Sequence, residues 1–265
     1  MRRWLAGCGV LLAGLVSAAG VEDLVEAERT FAARSPQVGV KAAFLGVLAD
    51  DAIVFRPGAT NARAWYAGRP DTAPFRLEWA PAAAEAADDL GYTFGPYRLT
   101  PIEADGSDGA PAGGQFFSVW VLREGRWRLL LDNGIEHALQ AFPSEAKDRA
   151  AGTRAVEGGD ETALRSADDQ LNALRATTFD PAAWHALAAA DAIELRSGQP
   201  PRVAADLRNS TPMRARAERV LLRRSGDGRL ASTAGVTPSE QPQSYQRVWR
   251  HQPEGWRLVV DQVGD

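Results

Sequence analysis

Cysteine is nearly absent: the 265-residue chain contains one, Cys8. That excludes a disulfide within the chain and any thiolate cluster for a structural metal. Histidine is almost as scarce. His137, His185 and His251 stand 48 and 66 residues apart, a spacing that matches no local metal motif, so no metal and no cofactor is expected. A basic excess is missing as well: 30 Lys+Arg stand against 34 Asp+Glu, a net charge of −4, and nucleic acid is not an expected partner. There is no Gly-x-Ser-x-Gly, phosphate loop, dinucleotide fingerprint or His-Glu-x-x-His. What remains is a globular composition, 45% hydrophobic and 24% charged, long enough for one large domain or two smaller ones.

The apolar run Trp4 to Val16 is too short to span a bilayer. Arg2 and Arg3 precede it and Val16-Ser17-Ala18 follows with a small-x-small pattern, so residues 1–18 are expected to be a cleaved export signal. Leu5-Ala6-Gly7-Cys8 imitates a lipoprotein box, but the apolar core lies behind it, and a lipid anchor is not expected. Cleavage near Ala18 removes Cys8 and two arginines and takes the net charge from −4 to −6. The expectation is a periplasmic or secreted protein without a disulfide and without stable membrane insertion after cleavage.

The chain repeats itself. An offset of 140 residues lays Asp51-Ala52-Ile53 on Asp191-Ala192-Ile193, Arg56 on Arg196, Leu24 on Leu164 and Phe31 on Leu171. Nearer the end the offset becomes 129: Val119-Trp120 falls on Val248-Trp249, Trp127-Arg128-Leu129 on Trp256-Arg257-Leu258, and Asp132 on Asp261. The change in offset falls opposite Gly106 to Gly114, a stretch with the composition of a hairpin loop, where a length change is tolerated. The expected organisation is a domain over residues 19–142, a linker over 143–159 and a second, degenerate domain over 160–265.

In the first copy, Leu24, Ala27, Phe31 and Ala32 predict a helix over 21–34, and a second helix runs from Val40 to Leu48. Ala52 to Arg56 is strand-like, and Asn61 caps a short helix through Trp65 and Tyr66. Strands follow at Phe75–Trp79, Gly91–Leu99, Gln115–Leu122 and Trp127–Asp132, with Glu124-Gly125 as the tight turn between the last two. Helices followed by an antiparallel meander give an α+β class. This order resembles the nuclear transport factor 2-like superfamily. The segment Leu48 to Gly58 resembles the entry to its first strand, and Val119-Trp120-Val121 with Trp127 to Asp132 resembles its closing hairpin. The resemblance implies two cone-shaped domains, each a strongly bent sheet packed against about three helices around a pocket. It also implies several functions, among them ketosteroid isomerases, SnoaL-like cyclases, scytalone dehydratases and non-catalytic binding modules.

In the isomerase branch a catalytic Asp precedes the Pro after the first strand; here Arg56 precedes Pro57, and no Tyr occurs before Tyr66, so isomerase activity is not expected. Asp50-Asp51 cannot converge on one proton, because neighbouring strand residues point to opposite faces. Arg56 suits either an anionic ligand or a protein carboxylate such as Asp132. Arg56, Trp65, Tyr66, Trp79, Tyr92, Tyr97 and Trp120 are the candidate ligand-binding residues, since in the second copy only the last remains aromatic, as Trp249. Candidate acid/base groups are Asp132 and His137, the latter just past the closing strand. The expected function is binding of a small, partly apolar and anionic or neutral molecule by the first domain. The alternatives are a cyclase-, dehydratase- or hydrolase-type enzyme using His137 or Asp132, and a structural module whose two domains pair within the chain as a fused dimer.

Overall fold

The computed structural model describes residues 20–264; the expected export signal and Cys8 lie outside the described residues. The first half is built from α1 (Val21–Val38), α2 (Val40–Val47), β1 (Leu48–Phe55), β2 (Ala59–Asn61), α3 (Ala62–Ala67), β3 (Phe75–Trp79), β4 (Ala83–Ala87), β5 (Leu90–Pro101), β6 (Ala112–Arg123) and β7 (Arg126–His137). A two-residue strand β8 (Lys147–Asp148) follows. The second half comprises α4 (Glu161–Arg175), α5 (Pro181–Leu187), β9 (Ala188–Arg196), β10 (Arg202–Val203), a turn of 3-10 helix at Ala204–Asp206, β11 (Glu218–Arg224), β12 (Leu230–Val236), β13 (Ser244–Gln252) and β14 (Gly255–Gly264). The class is α+β, with helices covering one face of each of two sheets in a cone-like arrangement.

Acidic Glu22 and Asp23 favour the start of α1 through the helix dipole, and Asp23 accepts a hydrogen bond from the Gly20 N–H. Its buried positions are Leu24, Glu28, Phe31 and Ser35, one helical face at spacings of four, three and four. In α4 the residues 140 positions on, Leu164, Asp168, Leu171 and Arg175, are buried in the same way. Gly39, at φ +84°, ends α1 in the left-handed region and lets α2 begin at once.

The first sheet runs β2-β1-β7-β6-β5-β4-β8, with β3 also pairing β5; the second runs β10-β9-β14-β13-β12-β11. In each, the first long strand lies parallel to the last, and the meander that follows is antiparallel. The registers coincide under the sequence offsets. Leu48 pairs Leu129 and Ile53 pairs Leu131, while Ala188 pairs Leu258 and Ile193 pairs Val260. The bulge between Val119 and Trp120 recurs between Val248 and Trp249. The 102–111 connection between β5 and β6 shortens to 237–243 in the second half.

Strand β4 is an alanine-rich segment without strand propensity, and periodicity does not predict it. It forms because β5 presents an open edge and because Gly95 leaves room for the Ala80 carbonyl, which a Cβ there would strike. β1 starts at Leu48, four residues before the expected strand, and α1 continues through Pro36 to Val38. Residues 143–159, expected as a linker, lie along the molecule: β8 pairs β4, the Val156 N–H bonds to His251, and Asp160 caps α4 through the Ala163 N–H at 2.9 Å.

The outer faces of the two sheets meet. Tyr92, Phe94, Phe117 and Val119 share one core cluster with Leu230, Val248 and Val260. Gln246 Nε2 donates to the Phe117 carbonyl at 3.0 Å and Gln262 Nε2 to the Asn133 carbonyl at 3.2 Å. Under the 129 offset each contact joins a residue position to its own counterpart, as a local two-fold axis requires. Arg250 is fully buried there, bidentate on Glu85 at 2.7 Å and bonded to Asp191 at 2.9 Å, while Tyr92 Oη donates to Glu85 at 2.9 Å.

Candidate functional site

Between the helices and the inner face of the first sheet is a cavity of about 320 Å³. Trp65 and Tyr66 reach it from α3, a helix fixed by Asn61, whose Oδ1 accepts the Ala64 N–H at 2.9 Å. Tyr66 stacks on Phe44 of α2 at 4.2 Å, and Phe31 of α1 packs edge-on against Phe44 at 4.8 Å and Trp79 at 4.7 Å. Tyr97 occupies the space that Gly114 and Gly134 leave, since a Cβ on Gly114 would enter its ring. Arg56 is exposed at the rim, its guanidinium on the Phe55 carbonyl at 2.6 Å and 5.2 Å from the Trp65 ring centre, with Arg69 over the same ring at 4.3 Å.

Asp132 is the acidic group in this lining. Its carboxylate accepts a hydrogen bond from Ser118 Oγ at 2.9 Å, and no guanidinium bonds to it among the described residues. Burial raises its pKa to about 6, against the opposing pull of Ser118 and Arg56. Burial also pushes Tyr66 well above 10 and Tyr97 to about 12, so both phenols stay neutral at pH 7. The candidates Arg56, Trp65, Tyr66, Trp79, Tyr97 and Asp132 therefore share one cavity.

The other candidates lie elsewhere. Tyr92 faces the second sheet and is held by Glu85. Trp120 is fully buried behind Phe31, its Nε1 on Glu28 at 3.1 Å. His137 lies five residues along β7 from Asp132 in unbroken register, so the two side chains take opposite faces and form no acid/base pair. Asp50 and Asp51 are exposed and pair with separate arginines, Arg63 at 3.0 Å and Arg123 at 2.7 Å. Among the described residues no group of three His, Cys, Asp or Glu is placed to hold a metal ion.

Glu28 is the residue that hydrophobic patterning missed. It is completely buried on α1 and takes hydrogen bonds from Trp79 Nε1 and Thr93 Oγ1, both at 2.6 Å. Burial outweighs those bonds and raises its pKa to about 7. The second half has the same knot: Asp168 accepts from Thr233 Oγ1 at 2.7 Å, and Trp249 Nε1 bonds to Thr233 as Trp120 Nε1 does to Thr93.

In the second half buried charged side chains take inner positions that are small or apolar in the first. Ser35, Val54 and Ser118 of the first half correspond to Arg175, Glu194 and Arg247, all buried. Asp261, the counterpart of Asp132, accepts from Arg247 Nε at 3.0 Å and from Arg175 Nε at 2.8 Å. Burial would raise its pKa, but Arg175, Arg247 and Arg196 together hold it well below the usual carboxylate range. Ala205 stands at the position equivalent to Trp65.

The opposite shifts give opposite stability effects. A raised folded-state pKa means that the Asp132 contribution is fully present below about pH 4 and is lost as pH rises through about 6. Asp132→Asn is therefore expected to raise the unfolding midpoint at pH 8 and to flatten its dependence between pH 4 and 7, which thermal unfolding across pH measures. An unchanged profile would mean that Asp132 is paired or well hydrated.

No family model matches this chain, and no curated protein does. Solved structures do. A nuclear transport factor 2-like superfamily protein from Salmonella enterica is 12% identical, covering 47% of this chain and 95% of its own, with a TM-score of 0.37. An NTF2-like protein with a cystatin-like fold from Novosphingobium aromaticivorans is 13% identical, covering 43% and 79%, with a TM-score of 0.36. The association domain of the Caenorhabditis elegans kinase CaMKII is 13% identical, covering 43% and 92%, with a TM-score of 0.34.

Proposed function

We propose that the first unit binds a small, partly apolar molecule in its cavity and that the second unit is a filled counterpart serving to cover its sheet. The observation that carries this is Asp132: a half-buried carboxylate without a hydrogen-bonded guanidinium partner, at the wall of a cavity lined mainly by aromatic and aliphatic side chains. A ligand with a hydrogen-bond donor for Asp132 and a flat apolar body for Trp65, Tyr66 and Trp79 satisfies both. Negative charge on such a ligand belongs at its outer end, near Arg56, away from the carboxylate.

The halves are, on this reading, a tandem duplication of a nuclear transport factor 2-like unit, paired within one exported chain as a homodimer pairs two. The matching registers, the shared bulge and the self-equivalent contacts of Phe117 with Gln246 support it. Pairing frees the second copy to lose its cavity while still burying the first copy's outer sheet face. A second reading keeps the same site as an enzyme. It is favoured by the elevated pKa of Asp132, about 6, which suits a general acid or base near neutral pH.

Native mass spectrometry of the full chain purified from a periplasmic preparation tests the binding reading. One small molecule per chain is expected, released on denaturation and lost in Trp65→Ala. A ligand that survives Trp65→Ala and Asp132→Asn would place binding elsewhere.

A further inference from the structure

The two halves treat the same carboxylate differently. Asp132 on β7 and Asp261 on β14 stand at equivalent positions, and the neighbouring strand brings an aromatic ring beside each, Phe116 on β6 and Tyr245 on β13. The registers match: Phe116 pairs Gly134 and Tyr245 pairs Val263, each two residues beyond the carboxylate. In the second half a planar cation sits between ring and carboxylate. The guanidinium carbon of Arg247 lies 4.0 Å from the Tyr245 ring centre, and its Nε donates to Asp261 Oδ1 at 3.0 Å. Arg175 supplies a second guanidinium, its Nε donating to Oδ2 at 2.8 Å.

Neither arginine has a counterpart in the first half, where Ser118 stands for Arg247 and Ser35 for Arg175. Asp132 and Phe116 both line the cavity of about 320 Å³ instead, so the place where the second half holds a guanidinium borders open volume in the first. Ser118 Oγ donates to Asp132 Oδ1, and among the described residues nothing donates to Oδ2. Arg56, the cation of this lining, is exposed at the rim with its guanidinium on the Phe55 carbonyl. Much of the remaining wall is aromatic, Phe44, Tyr66 and Trp79 among it, which suits a flat cation better than a compact, strongly hydrated one.

Water hydrates the Asp132 carboxylate but leaves its charge unopposed, and a neutral ligand that displaces the water does the same; a cation removes that cost. Parallel N–H donors meet both oxygens of a carboxylate, which favours a planar amidinium or guanidinium over an ammonium. Arg56 and Arg69, both over the Trp65 ring at the rim, oppose a second positive charge at the outer end of a ligand. We propose that the first cavity binds a planar organic monocation, an amidine or guanidine on a flat apolar body, with its N–H groups on Asp132 and its plane against Phe116. The proposal rests on the ligand-binding reading of this cavity and names the chemical class of the ligand. The first half takes from solution the group that the second half supplies from its own chain.

The test is titration calorimetry of the full chain with benzamidine and with benzamide, its neutral counterpart of the same shape, at pH 8 and constant ionic strength. One benzamidine per chain is expected, bound roughly tenfold more tightly than benzamide. Asp132→Asn keeps the shape of the side chain and should remove that preference. Ser118→Arg, which brings a guanidinium to the same place, should exclude benzamidine. Should a variant fail to fold, wild-type crystals soaked in benzamidine decide: the amidinium on Asp132 is expected, and a position elsewhere overturns the proposal. Equal affinities for the two probes, or a preference that survives Asp132→Asn, also overturns it and leaves the broader binding reading standing. If neither probe binds, the proposal fails; a molecule that copurifies in native mass spectrometry and is lost in Trp65→Ala then upholds the broader reading, and its absence ends both.

Discussion

Asp261→Asn is expected to lower the stability of the chain by about 3–5 kcal/mol, the loss that follows when a buried ion pair is broken from one side. The side chain keeps its shape, so no cavity is created; only the charge goes. Arg175 and Arg247, both without solvent exposure, would then share Asp168 and Glu194 with Arg196 and Arg202. Because the native pKa of Asp261 is depressed, its contribution is present above about pH 4 and is lost as pH falls through the folded value. The variant should therefore unfold far below wild type at pH 7 and approach it in acid. Asp132→Asn should move the other way, although the two residues occupy equivalent strand positions. Chemical denaturation of both variants at pH 7 measures the difference; a loss of the same size in both would remove the distinction between a filled and an open cone.

Ser118→Arg is expected to close the first cavity and lower ligand affinity at least a hundredfold. The second half already carries arginine at this position, where Arg247 bonds Asp261 and Asp168. The corresponding acceptors exist in the first half: Asp132, which Ser118 already touches, and Glu28. Both carboxyls are raised by burial, so a guanidinium between them finds two groups that gain from ionising. The fold should survive with stability near wild type while binding is lost, as titration calorimetry and thermal unfolding together would read. Retained affinity would show that the ligand does not sit beside Asp132; an unfolded variant would show that the two cones are not interchangeable in charge.

The correspondence between the two halves was legible in the sequence because its anchors are large or specific. Trp120 and Trp249, Asp51-Ala52-Ile53 and Asp191-Ala192-Ile193 fix offsets of 140 and 129, and the strand registers coincide at those offsets. The helices were legible through Leu24 and Phe31, and the short capped α3 through Asn61. The hydrophobic pattern hides what is polar and buried. Glu28 and Asp168 sit on inner helix faces but count as surface on any hydropathy scale. The signal was available in the alignment, where an acid stands at the same step of both apolar stripes. The aromatic residues alone distinguish the halves, but they do not reveal that Arg175, Glu194 and Arg247 stand where the first half has small or apolar residues. Tyr92 and Trp120 group with the pocket candidates in sequence because they are aromatic, and alternation, which gives faces only within one strand, does not separate them. Which face meets the second sheet is a tertiary fact, set by Phe94, Phe117 and their partners.

The most direct test of an open first cone and a filled second one is a crystal of the full chain equilibrated with millimolar indole, a flat apolar probe with a single N–H donor. The expected result is one indole per chain, between Trp65 and Trp79, with its N–H on Asp132 and none in the second cone. Indole bound beside Asp261, or an empty first cavity at saturating probe, would contradict the account.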